Sequence, residues 1–213
     1  MRGLRLLVVP VAVAAALMPS AAWAHFFEPN ESWTTSPYYG DKATKFADVD
    51  ADGKADAIAV NSYGVFVKLS SGSGFGVTRA WAGPFYGSQA TNFADVNGDR
   101  KADAIAVNSS GVTVRFSTGS AFSSRGTTTP HLTVGTRLRF ADVTSDGKAD
   151  AVLFGASHVT VYYSTGDNFD KGHSWSYNPY YGNVATDCVD VSGDGIGDGI
   201  AVNRSKITVR REF

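Results

Sequence analysis

The sequence predicts an all-β fold made of four copies of one unit. Three observations carry that expectation. An aspartate-rich loop beginning at Asp48 returns at Asp95, Asp142 and Asp190, at spacings of 47, 47 and 48 residues. Alternating apolar runs such as Val65, Val67 and Leu69 follow each loop at the same distance, and a period of two belongs to a strand with one buried face. Beyond the first 24 residues, no apolar pattern of helical period replaces it.

The chain opens like a secretory precursor. Arg2 and Arg5 precede an apolar run from Leu6 to Leu17, and Ala22-Trp23-Ala24 is a small-x-small cleavage site. A leader over 1–24 and an exported mature chain from His25 are therefore expected. The apolar run is too short for a membrane-spanning helix, and no later segment is longer. The single cysteine, Cys188, holds the repeat position of Phe46, Phe93 and Phe140, so a buried strand residue is expected there. Without a disulfide, bound metal is the natural staple for an exported domain of this size.

Residues 25–213 read as one domain, with repeats around 41–87, 88–134, 135–182 and 183–213, the last completed by 25–40. Each repeat starts from an aromatic segment. Trp33 leads to Tyr38-Tyr39-Gly40, Trp81 to Phe85-Tyr86-Gly87, and Trp175 to Tyr180-Tyr181-Gly182. The counterpart at Pro130 to Gly135 lacks these aromatics. A first strand follows, ending in Phe-Ala-Asp-Val or its Cys188 variant, and then comes the acidic loop. In the second strand, alanines alternate with Ile58 and Val60, or with Ile105 and Val107. Small residues on one face and branched ones on the other suit close stacking of sheet on sheet. The third strand alternates cleanly, and a Gly-x-x-Phe turn leads into a fourth. Four short strands in about 47 residues make one propeller blade, so the fold class expected is a four-bladed β-propeller, its last blade closed by the N-terminal segment.

The loops carry the chemistry. Of the 20 acidic residues, 13 lie in them, although the net charge is only −1. In the first, Asp48, Asp50, Asp52 and Asp56 stand at positions 1, 3, 5 and 9, with Gly53 at position 6 and the Lys54 carbonyl at position 7. Alternate side chains then converge on a hard cation while glycine permits the sharp turn. The second loop offers Asp95, Asn97, Asp99, Lys101 and Asp103, and Arg100 replaces its glycine. The third offers Asp142, Thr144, Asp146, Lys148 and Asp150; the fourth, Asp190, Ser192, Asp194, Ile196 and Asp198. Up to four structural Ca2+ ions are expected, held most tightly by the first loop because it has the most carboxylates. Position 12 is Ala59 rather than glutamate, which excludes an EF-hand, and a crowded all-protein shell disfavours magnesium.

The repeated Phe-Ala-Asp-Val-(Asp/Asn)-x-Asp-Gly-Lys-x-Asp-Ala segment, followed by Gly-x-x-Phe, resembles the FG-GAP/VCBS repeat family. That family includes the propeller of integrin α chains and secreted propeller lectins. The resemblance implies four-stranded blades, calcium between the first two strands, a binding role, and ligands held between neighbouring blades. The chain departs from the larger rings of that family in having four blades.

The ligand surface expected is aromatic: Trp33, Tyr38, Tyr39, Trp81, Phe85, Tyr86, Trp175, Tyr180 and Tyr181. These rings either stack on sugars or pack between blades, and both hold if the tryptophan is buried and one tyrosine exposed. A secreted glycan-binding module is the first reading, and a protein-interaction or adhesion module is the alternative. Enzymatic readings are weaker. A copper site at His25 needs a second histidine, and His131, His158 and His173 sit in unrelated repeat positions. A carboxylate-dependent hydrolase finds most acids committed to the loops. No basic stripe suggests nucleic acid. A homo-oligomer is compatible with the blade count, and the sequons at Asn30, Asn108 and Asn203 are glycan acceptors in a eukaryotic pathway.

Overall fold

A computed structural model describes residues 31–130, 132 and 137–211. The expected leader over 1–24, His25 and His131 lie outside the described residues. The chain divides into the units Met1–Glu31 and Ser32–Phe213, and the blades lie in the second. Among the described residues no helix is long and apolar enough to cross a membrane.

The fold is an all-β, four-bladed β-propeller. Blade one holds β1 (Ala43–Ala47), β2 (Asp56–Asn61), β3 (Gly64–Lys68) and β4 (Arg79–Ala82). Blade two holds β5 (Ala90–Ala94), β6 (Asp103–Asn108), β7 (Gly111–Arg115) and β8 (Thr127–Thr129). Blade three holds β9 (Leu138–Ala141), β10 (Asp150–Phe154), β11 (Val159–Tyr162) and β12 (His173–Ser176). Blade four holds β13 (Ala185–Val189), β14 (Asp198–Val202) and β15 (Ile207–Arg210). Each sheet is an antiparallel meander in chain order.

The strand register places small and branched residues as their alternation requires. Ile58 pairs with Val67 and Val60 with Val65, so four branched side chains share one face of blade one. That face packs on Ala102, Ala104, Ala106 and Phe122 of blade two. The same arrangement joins blade two to Ala151 and Phe169 of blade three, and blade three to Cys188 of blade four. The core is thus a row of inter-blade layers, branched residues from one blade meeting small and aromatic residues from the next. Cys188 is buried in the third layer, and burial pushes its thiol up to about 12. It is a packing residue, as its repeat position predicts.

The segment 33–40 lies on the opposite face of blade one. The Phe75 amide donates to the Trp33 carbonyl (3.3 Å), as the Phe122 amide donates to the Trp81 carbonyl (2.9 Å). Trp33 therefore stands against blade one where the fourth strand of a preceding blade would stand, the place of a closing segment.

Candidate metal and ligand sites

The acidic loops occupy the turn from the first to the second strand of each blade, and their aspartates first serve the backbone. Asp48 Oδ1 accepts from the amides of Ala51 (2.8 Å) and Asp52 (3.2 Å), and its Oδ2 from that of Gly53 (2.8 Å). Asp95 receives Gly98, Asp99 and Arg100 in the same way, and Asp142 and Asp190 repeat the pattern. Such a curl forces positive φ at two places per loop. Gly53 (83°), Gly147 (81°) and Gly195 (88°) take one of them, and Arg100 (68°) carries a side chain there. A non-glycine residue in that region costs about 1–2 kcal/mol.

The ninth-position aspartates are buried. Asp56 accepts from Val49 (3.1 Å) and Ser70 (2.8 Å), and Asp103 from Val96 (3.0 Å) and Ser117 (2.8 Å). Each ties its loop to the end of the third strand. Burial pushes the Asp103 carboxyl up to about 7, and burial likewise raises Asp50, Asp56 and Asp150. These groups lack the solvation a carboxylate needs, which a cation would supply.

In the first loop the fit to a cation is direct. One carboxylate oxygen from each of Asp48, Asp50 and Asp56 lies within 4.8 Å of the others. This cluster could coordinate a divalent ion. Asp52, the fourth predicted carboxylate, is instead paired with Lys54 Nζ at 2.5 Å. Asp99 pairs with Lys101 at 2.9 Å, and Asp146 with Lys148. The sequence assigned these lysines only a carbonyl. Their side chains also neutralise the fifth-position aspartates, which sequence reading did not anticipate, although the Asp-x-Lys spacing was visible. In the other loops Asn97, Thr144 and Ser192 stand where Asp50 stands, so one fewer carboxylate converges.

The aromatic segments divide by position. The first ring of each pair packs inward: Phe85 is buried, and the Tyr38 hydroxyl donates to the carbonyls of Ala57 (3.2 Å) and Phe66 (2.8 Å). Tyr180 does the same with Gly199 (3.1 Å) and Thr208 (2.7 Å). The second rings, Tyr39, Tyr86 and Tyr181, are exposed. Glycine follows each pair because a Cβ at Gly40, Gly87 or Gly182 would lie 2.1–2.3 Å from the carbonyl oxygen of Val60, Val107 or Val202. Trp81 is buried, while Trp33 and Trp175 are half-buried.

Two cations sit on the exposed rings: Lys42 Nζ is 5.2 Å from the Tyr86 centroid, and the Arg137 guanidinium is 3.9 Å from that of Tyr181. Lys42 stands six residues before Asp48 and Arg137 five before Asp142, so the two cations come from neighbouring positions just ahead of a first strand, which aromatic patterning alone overlooks. Beside Tyr86 is a cavity of about 420 Å³ lined by Pro84, Phe85, Tyr86, Ala106, Asn108 and Thr113. A second, of about 370 Å³, includes Trp33, Thr34, Thr35, Lys68 and Phe75. Asn108 is held by accepting the Ser88 amide at 2.8 Å. His158 and His173 are engaged separately, with Ser157 and Asp170.

Comparison with known proteins follows the same lines. An FG-GAP-like repeat model matches residues 48–106 and 95–153. No curated protein matches the chain. Among solved structures, an Agrocybe aegerita lectin described as recognising non-reducing terminal N-acetylglucosamine is similar at 23% identity and a TM-score of 0.58, covering 78% of this chain and 48% of its own. The Photorhabdus luminescens Tc holotoxin pore is similar at 17% identity and a TM-score of 0.61, covering 78% of this chain and 9% of its own. The chain thus spans about half the length of that lectin. The overlapping matches identify FG-GAP-like repeats over residues 48–153, within a fold of four antiparallel meander sheets.

Proposed function

We propose that this chain is a secreted, calcium-stabilised recognition module that binds glycans in aromatic clefts where one blade meets the next. The observation that carries this reading is the Tyr86 cleft. An exposed ring beside a cavity offers a stacking face, and Asn108 and Thr113 line the same cavity with hydrogen-bonding groups. An apolar face with a few fixed polar groups is what a sugar ring requires. The lectin of similar fold binds a sugar, which supports this class of ligand without assigning the sugar. Calcium in the acidic loops, up to four ions, stabilises the blades rather than reacting. The loops' carboxylates are committed to backbone amides, to the neighbouring lysines and to the ion, and no carboxylate lines the cleft.

A glycan array probed with calcium and with chelator tests the reading. Binding in calcium that Tyr86→Ala abolishes is the expected result. An array without binding in calcium, from protein shown to be folded, overturns it and leaves protein adhesion as the better assignment.

A further inference from the structure

Three junctions join the four blades; each is tied by the same backbone bond, and the first two also by a serine hydroxyl. The Ala102 amide donates to the Asp48 carbonyl (2.7 Å), Ala149 to Asp95 (2.6 Å) and Gly197 to Asp142 (2.7 Å). The Ser117 hydroxyl donates to the Val49 carbonyl (2.6 Å), and Ser164 to Val96 (2.5 Å). Around these bonds, the branched face of one blade is covered by the small and aromatic face of its successor.

Both halves of a fourth such junction exist among the described residues, and both are bare. On blade four, Ile207 is 65% and Val209 45% exposed, whereas Val65, Val67, Val112, Val114, Val159 and Val161 at the same positions are at most 1% exposed. Val191 is also exposed, although its counterparts Val49, Val96 and Val143 are buried. On blade one, Phe46 is 63% exposed where Phe93 packs into the preceding blade. Ala55 is exposed where Ala102 and Ala149 are buried. Among the described residues, neither the Ala55 amide nor the Ser70 hydroxyl has the bond to a preceding blade that its counterparts make.

We propose that these two faces are mates and that they meet between two copies of this chain, head to tail. The branched face of blade four in one copy covers Phe46 of the other, and a two-fold axis makes the second junction identical to the first. The segment 33–40 of each copy then completes blade four of its partner, so closure by the N-terminal segment occurs in trans. The chain builds this interface three times and presents one complete unused pair of the same faces. Pairing removes the exposed apolar surface and the free edge of β15, which otherwise invite indiscriminate association.

Mass in solution, read by light scattering in calcium over a range of concentrations, tests this. The expected mass is twice that of the chain. Ile207→Asp and Phe46→Asp alter one face each at exposed positions, so each alone should give the single-chain mass with its β-sheet circular dichroism unchanged. Mixed in equal amounts they should return to twice the chain mass, because one intact junction remains between unlike copies. A wild-type chain that stays single at every concentration overturns the proposal. Species that grow without limit overturn the closed pair, and folded single variants that keep the double mass overturn the assigned faces. None of these readings depends on a glycan, so the outcome is separable from that of the array.

Discussion

The Ser117 hydroxyl reaches across a blade junction to the Val49 carbonyl at 2.6 Å, and both groups are buried. The same serine donates its amide to Asp103, which folds the acidic loop of its own blade. One residue thus couples a candidate metal loop to the stacking of blades. Removing a buried donor leaves its acceptor unsatisfied, at a cost of about 1–3 kcal/mol. Ser117→Ala and Ser164→Ala should each lower unfolding stability by that amount, measured by urea denaturation in calcium.

Calcium should raise thermal stability. An ion at one hundred times its dissociation constant contributes about 2.7 kcal/mol per site. Chelation should therefore lower Tm by several degrees, and an unchanged Tm would remove the loops as metal sites. Asp50→Asn is the sharper form of the test. Asp50 is held above the usual carboxylate range by burial and by its Asp52 and Asp48 neighbours. Its neutralisation should leave the chelated protein as stable or slightly more so, while shrinking the gain on adding calcium.

Asp103 sets a pH dependence whose sign is opposite to the common acidic case. Its folded value, about 7, lies above the ordinary carboxylate value because of burial. The metal-free folded state therefore binds a proton that the unfolded chain has lost. That stabilisation is fully present below about pH 4 and disappears as pH rises through 7. In chelator, wild type should lose stability relative to Asp103→Asn between about pH 4 and 7. Calcium must displace this proton, so its affinity should rise over the same interval, as calorimetry at pH 5.5 and 7.5 would show.

Arg100 adopts φ 68° where three other loops have glycine. Arg100→Gly should stabilise the protein by about 0.5–1 kcal/mol, since relief of the left-handed backbone exceeds the entropy glycine adds to the unfolded chain. A loss of stability would show that the Arg100 side chain contributes more than its backbone costs.

Much of this was legible in the chain. The period between Asp48, Asp95, Asp142 and Asp190 gives the blade count, because a unit that cannot bury its own faces must repeat. The alternation of Ala57, Ile58, Ala59 and Val60 gives the stacking, because strand geometry assigns neighbours to opposite faces. Cys188 was readable as core from the phenylalanines at its repeat position. These are local or periodic properties, and a sequence states them directly.

What depended on the third dimension was which equivalent positions remain equivalent. Ile207 and Val65 read alike along the chain, yet one is bare and the other buried, since burial needs a neighbour and only the folded arc shows where neighbours run out. Lys54 was read for its carbonyl, and its ammonium closes on Asp52 because the curled loop brings the two together. Tyr38 and Tyr39 are adjacent and identical, but the Tyr38 hydroxyl reaches the Ala57 and Phe66 carbonyls while the Tyr39 ring is exposed. Sequence determined the repeated unit and its metal-loop chemistry. Tertiary packing decided which carboxylates converge, which rings face solvent and which blade faces stay open, because those follow from proximity between units that the chain order does not encode.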